Sequence, residues 1–198
     1  MAKAEISIEQ IKKLKELSGA GLTDAKKALV EADGDFDKAL EAMRKKGLTK
    51  AEKRGDRETR EGLVEAYIHD GRLGAIVEVN CETSFVAKTD EFKTLAHQIA
   101  MQIASMNPLY VSEDDIPEDV RKAKIKELEA NFKGLENMKE KILDGQVKKA
   151  FSDKVLMNQP YILDDTKTVE QFIKEAIAKT GENITIRQFK RIELGVTE

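Results

Sequence analysis

A single cysteine, Cys81, stands among the 198 residues, with no tryptophan, three prolines and two histidines. One thiol cannot close an internal disulfide or build a cysteine zinc site, the pattern expected of a reducing compartment. The histidines, His69 and His97, are too far apart in sequence to be paired ligands on one helix face, so both are expected to be ordinary surface or core residues and no metal is expected. Long apolar runs are missing as well. No stretch approaches the ~20 apolar residues of a membrane span, and the opening Met1-Ala2-Lys3-Ala4-Glu5 carries no apolar leader core. The expectation is a cytoplasmic protein without a membrane partner.

Neither sign of charge dominates, because 34 Lys and Arg face 37 Asp and Glu. A chain that bound nucleic acid directly would be more basic, so no direct nucleic-acid partner is expected. Phosphate-binding chemistry is also scarce. No GxxxxGK loop occurs, and Gly19-Ala20-Gly21-Leu22-Thr23-Asp24 opens like a dinucleotide loop but places Asp24 where a third glycine belongs and follows a helix pattern rather than a strand. Carboxylates are abundant, yet on helices they make solvated faces and i,i+4 pairs, and no acid/base or nucleophile constellation emerges. Cys81 ends an alternating strand with Ala75, Val77 and Val79 on its own side, which fits a small buried hydrophobe better than a nucleophile. No cofactor is expected, and no enzyme.

What is present is helix pattern, then alternation, then helix pattern again. Ile8, Ile11, Leu14 and Leu17 recur at helical spacing up to Ser18-Gly19-Ala20-Gly21; Thr23 has the chemistry of an N-cap for a second helix with Ala25, Ala28 and Leu29 inward. Asp35 is placed to cap a third helix carrying Phe36, Ala39, Leu40 and Met43. Residues 44–60 then hold eight basic side chains against three acidic ones, which predicts a solvated linker with room for some helix, an acidic or phosphate-bearing partner being the alternative.

Leu63–His69 and Gly74–Cys81 alternate around Asp70-Gly71, a pair at ease with positive φ, and predict a hairpin. Phe92, Leu95, Ala96, Ile99 and Ile103 mark a helix, and 120–132 and 136–148 predict a helical hairpin after Pro117. Pro160 limits 154–163 to an edge or short strand. Thr168 and Gln171 have capping-box spacing ahead of Val169, Phe172, Ile173, Ala176 and Ile177; Gly181 ends that helix, and 183–194 returns to strand with Phe189 out of phase, as at a bulge. The fold class is α+β: a three-helix bundle at 1–46, a charged linker at 47–62, and at 63–198 a core with a small antiparallel sheet and a helical hairpin.

Three blocks carry a family resemblance. Leu14-Lys15-Glu16-Leu17-Ser18-Gly19-Ala20-Gly21-Leu22-Thr23-Asp24-Ala25-Lys26-Lys27-Ala28-Leu29, with Gly34-Asp35 and Ala39, is one. The second, Glu78-Val79-Asn80-Cys81-Glu82-Thr83-Ser84-Phe85-Val86-Ala87-Lys88, is the more specific. The third joins Glu140-Lys141-Ile142, Gly145, Lys148 and Lys149 to Gln159-Pro160-Tyr161 and Thr168-Val169. Together they resemble the elongation factor Ts family over nearly the whole chain.

The resemblance implies a ubiquitin-associated-like bundle at 1–46 that docks on a GTPase, elongation factor Tu, with Leu22 and Lys26 as contact candidates; a cap loop and an exposed lysine account for the same two residues. It implies that Thr83, Ser84, Phe85 and Val86 form the tip that enters the GTPase, helps dislodge its magnesium ion and releases GDP, the factor staying bound until GTP arrives. The family usually reads Thr-Asp-Phe-Val there, so Ser84 departs from the pattern and is expected to set loop geometry rather than to supply charge. Longer relatives carry two versions of the core, and a single unit, as here, implies a homodimer through 63–198. Phe85 and Phe92 sit seven apart, a spacing that also fits a core stripe. Burying Phe85 in a partner would supply about 1.5–3 kcal/mol, one to two powers of ten in binding, so a broad interface must supply the rest. The competing expectations are an adaptor whose bundle tethers another protein and a small carboxylate enzyme.

Overall fold

The computed structural model describes residues 6–18, 20–130, 132 and 139–196. Gly19, the first five residues and the predicted helix start at 136 lie outside them. The chain divides into two compact units, one of residues 1–63, 79–95 and 171–185, the other of 64–78, 96–170 and 186–198. The class is α+β, as expected.

In the first unit, α1 (Ile8–Ser18), α2 (Leu22–Glu31) and α3 (Phe36–Glu52) pack around Leu14, Ala25, Ala28, Leu29, Ala39 and Met43. A reciprocal pair opens α1, the Ser7 amide donating to Gln10 Oε1 at 3.0 Å and the Gln10 amide to Ser7 Oγ at 3.1 Å. Of the predicted apolar row on α1, Leu14 is buried and Ile11 half-buried, whereas Ile8 and Leu17 are exposed. Spacing of three residues slips by about 60° per step on a helix of 3.6 residues per turn, so the ends of such a row leave the core.

The cap of α2 is Gly21, not Thr23. Asp35 caps α3 as expected, its carboxylate accepting the Lys38 amide at 3.1 Å. That carboxyl is held below the usual carboxylate range, first by the Lys38 N–H and then by the Lys38 ammonium.

The segment 47–62, expected to be a charged linker with some helix, is helical as far as Glu52. Helix α3 runs to Glu52 and Ala51 is buried, while a Cβ added at Gly47 would stand 3.2 Å from the Ala178 Cβ on α8 (Val169–Thr180). Because Gly47 carries no side chain, this highly charged helix can approach α8 closely there. Arg54 then donates to the Ile177 carbonyl at 3.3 Å.

Strands β1 (Glu61–His69), β2 (Leu73–Cys81) and β5 (Ile184–Glu193) form a sheet in the order β1-β2-β5. Asp70 and Gly71 both have positive φ, 49° and 66°, and the Arg72 amide closes the turn on the His69 carbonyl at 3.0 Å. Along β5 the buried Ile184 and Ile186 give way to half-buried Phe189 and Arg191 at odd positions, the change of phase expected at Phe189.

In the second unit α6 (Glu118–Ala130) and α7 (Lys139–Phe151) pack together, with Ile116, Val147, Phe151 and Val155 as a core joined by Tyr110, Ile125, Leu128 and Met157. Strand β3 is only Pro160–Tyr161, paired antiparallel with β4 (Asp164–Thr168). The buried amide of Gln102 donates to Gln159 Oε1 and to the Pro160 carbonyl, both at 3.1 Å, and its oxygen accepts the Ile162 amide at 2.8 Å. Burying two amides is tolerable because they satisfy one another and the irregular backbone beside them. No helix among the described residues is long and apolar enough to cross a membrane.

Candidate functional site

Strand β2 ends inside the core and leads straight into the residues of the second block. Ala75, Val77, Val79 and Cys81 are buried, and the chain then turns at Thr83 into α4 (Ser84–Ala87), which α5 (Asp90–Met106) follows. Gly62 allows the strand pairing that precedes this turn. With φ of 152°, a Cβ there would collide with the Val79 carbonyl oxygen.

Thr83 is extended, with φ −130° and ψ 149°, and caps α4: its Oγ accepts the Val86 amide at 3.4 Å, and its carbonyl accepts the Ala87 amide at 3.2 Å. Thr89 repeats the device one turn on. Its hydroxyl donates to the Val86 carbonyl at 2.8 Å and accepts the Phe92 amide at 3.2 Å, which starts α5. Four residues do not make a stable helix by themselves. Here two threonine caps and the burial of Val86 and Ala87 hold it in place.

Those two buried side chains decide where the others go. Phe85 is 80% exposed, and Thr83 and Ser84 are exposed beside it. Phe85 is therefore not part of the core stripe with Phe92, the alternative its spacing allowed. Val86 is buried and anchors the loop from below rather than joining the exposed tip. Ser84, expected to shape the loop, makes no side-chain hydrogen bond among the described residues; the shaping falls to Thr83.

A turn far away in sequence completes the loop. Gly181, with φ of 80°, ends α8 through its amide on the Ile177 carbonyl, 3.0 Å away. Glu182 follows, and its carboxylate accepts the Thr83 amide at 3.0 Å and the Thr83 hydroxyl at 2.6 Å. The tie is returned by Glu82, whose carboxylate accepts the Asn183 amide at 2.6 Å and faces Arg57 Nη1 at 3.4 Å. Asn183 is buried and donates through Nδ2 to the carbonyls of Gly55 and Arg57, at 3.1 and 2.8 Å. None of Gly62, Glu182 or Asn183 was singled out from sequence for this loop. Only the return to strand after Gly181 hinted that something lay there.

No group in the site is poised for covalent chemistry. Cys81 is buried, its thiol donating to the Thr83 carbonyl at 3.2 Å, and burial, followed by the Glu182 charge, pushes its pKa up. A raised thiol pKa means less thiolate, the opposite of what a nucleophile needs. Among the described residues no group of three or more His, Cys, Asp and Glu is arranged to hold a metal. His97 faces Glu65 at 3.2 Å, and His69 faces the Tyr67 hydroxyl at 2.9 Å. What the loop offers is shape: an apolar side chain presented to solvent on a short, tightly tied support.

The other candidates, Leu22 and Lys26, lie one turn apart on the solvent side of α2, Leu22 half exposed and Lys26 exposed, with Ala25, Ala28 and Leu29 turned inward. Val30, one turn further on, is also exposed. The structure thus places an apolar and basic row on α2 and an exposed aromatic at the tip of α4.

The model of a family described as elongation factor TS matches residues 4–196. An elongation factor Ts from Thermotoga sp. (strain RQ2) is 51% identical over 193 residues, 96% of this chain and 97% of the relative. One from Rippkaea orientalis is 52% identical over 198 residues, 97% of this chain and 79% of the relative. Another, from Thermoanaerobacter sp. (strain X514), is 48% identical over 194 residues, 96% of this chain and 95% of the relative.

Proposed function

From the premise that the chain belongs to the elongation factor Ts family, we propose that this translation elongation factor is the guanine nucleotide exchange factor of elongation factor Tu. It binds the GDP-loaded GTPase, promotes loss of the magnesium ion and release of GDP, and stays on the nucleotide-free GTPase until GTP binds. The observation that carries this is Phe85, 80% exposed at the tip of α4 while its neighbours Val86 and Ala87 are buried. An exposed phenylalanine on a tied support is a wedge available to a partner, and burying it there supplies about 1.5–3 kcal/mol.

Exchange by this route is competition. The factor favours the nucleotide-free GTPase, and by linkage each nucleotide weakens the factor's binding to the same degree. No bond is made or broken, which accords with the buried, protonated Cys81, so the protein acts by binding and not as an enzyme. Since one phenylalanine cannot displace a tightly held nucleotide, further surface must engage, and the row of Leu22 and Lys26 supports assigning docking to the bundle. The domain division belongs to the same proposal: a docking bundle at 1–46 with its own core around Leu14 and Leu29, joined by 47–62 to a core at 63–198.

That core is also where a second copy is proposed to bind, giving a homodimer. Support comes from the solvent side of the sheet, where Val64, Ile68, Ile76 and Ile192 are exposed, Ile68 at 71% and Ile192 at 76%. A Cβ added at Gly74 would stand 3.6 Å from Ile68 Cγ1, so the glycine leaves the isoleucine bare. Exposed apolar side chains gathered on a sheet mark interaction sites. Ile68→Glu is expected to turn a dimer into a monomer in analytical ultracentrifugation.

The exchange reading is tested by stopped-flow release of a fluorescent GDP analogue from purified elongation factor Tu. The chain is expected to accelerate release, and no acceleration at any concentration refutes it. Cytoplasmic location and the lack of a direct nucleic-acid or membrane partner follow from the same assignment.

A further inference from the structure

We propose that Glu182 is a positioning residue for Phe85: by accepting both the amide and the hydroxyl of Thr83, it holds the cap of α4 in the geometry that presents the phenylalanine for insertion. The inference rests on the exchange reading above and adds to it a residue 99 positions away from its partner.

The chemistry of the contact sets it apart from the other ties at the loop. Thr83 must be extended to cap α4, and an extended residue between a finished strand and a four-residue helix has an amide with no partner in either element. Glu182 supplies that partner. It also accepts the hydrogen bond that the Thr83 hydroxyl donates, which leaves an Oγ lone pair directed to the Val86 amide and fixes the cap's rotamer. Bonds to a carboxylate are shorter and stronger than neutral ones, consistent with the 2.6 Å contact.

The fold beneath does not depend on this bond in the same way. Asn183 is buried and tied to Gly55, Arg57 and Glu82, and Val86 and Ala87 are sunk in the core, whereas Thr83 is exposed. Glu182 therefore acts on the exposed part of the loop, which would otherwise sample several orientations of Phe85. A wedge ordered beforehand does not have to be ordered during insertion. The positioning role thus falls on the step after docking.

The experiment combines two measurements on the full chain. In stimulated release of the GDP analogue, Glu182→Ala is expected to lower the maximal rate about tenfold with the half-saturating concentration unchanged. Glu182→Gln, whose amide can accept the Thr83 N–H and donate to its Oγ, is expected to restore the rate to within about threefold. In a Phe85→Ala background, Glu182→Ala is expected to add no further loss. In hydrogen exchange, the amides of Thr83 and Val86 are expected to exchange at least tenfold faster in Glu182→Ala, with the bundle amides unchanged. Should Glu182→Ala not fold, Thr83→Val, which keeps the amide bond and loses the hydroxyl, is expected to show the same fall in maximal rate to a smaller degree. Unchanged protection at Thr83 and Val86, additive losses in the double variant, or a change confined to the half-saturating concentration overturns the proposal. Faster loop exchange together with undiminished release in Phe85→Ala sinks the wedge reading instead and leaves the clamp standing.

Discussion

The helical bundle and the α4 loop are held by opposite means. Leu14, Ala25, Leu29 and Ala39 reach one another within a few dozen residues, each from a helix started by local caps such as Ser7–Gln10 and Asp35. The loop has four helical residues, and its main polar tie comes from the other end of the chain, at Glu182. A bundle of short-range contacts is a stable platform whose surface can change freely. A loop tied across 99 residues is a local shape borrowed from the whole fold, so damage at a distance reaches it.

The comparison can be broken from either side, and the largest effect is expected in the bundle. Leu29 is fully buried, and Leu29→Ala is expected to cost about 2–5 kcal/mol in chemical denaturation. If the bundle serves docking alone, saturating stimulated release survives while docking weakens. Next comes Phe85→Ala, expected to slow stimulated GDP release by one to two powers of ten, the value of its burial, with the melting temperature nearly unchanged because the side chain is exposed in the free protein. Undiminished release would remove Phe85 from the mechanism.

A smaller effect concerns pH. The Asp35 carboxyl has its pKa lowered in the folded state, so its contribution to α3 is present above the ordinary carboxylate range and is lost as pH falls through the lower folded value. Asp35→Asn keeps an acceptor for the Lys38 amide and removes the titration. Thermal melts of the variant are expected to lose less stability than the parent on acidification below roughly pH 4. Smallest of all is Ser84→Asp, expected to leave release rates within about threefold, since Ser84 makes no shaping bond and Thr83 holds the cap. A rise of tenfold or more would show that charge at this position matters to exchange.

How much was legible in the sequence tracks the same division. Three helices, the Asp70-Gly71 hairpin, the Gly181 stop and the phase slip at Phe189 were all readable, because each depends on neighbours within a few positions. One cap assignment failed by two residues: Gly21 took the place of Thr23, and at the α4 loop the cap is Thr83, the residue before Ser84. In both places the choice depends on where packing lets the first turn begin. In the run at 47–62, charge says nothing of the burial of Ala51 or of the close approach of Gly47 to Ala178, which depend on small size at those two positions. Phe85 was the plainest case of a motif outdoing periodicity, because its seven-residue spacing from Phe92 fitted a core stripe equally well.

Sequence alone made legible the three N-terminal helices, the hairpin, the α+β class and the motif with its aromatic residue. These follow from periods, caps and residue chemistry that act within a turn or a strand. Only tertiary structure decided that Phe85 points to solvent while Val86 and Ala87 point inward, and that a carboxylate from the turn after α8 holds the loop that way. A helix of one turn has too little of its own energy to choose an orientation, so that choice passes to whatever the rest of the chain brings beside it.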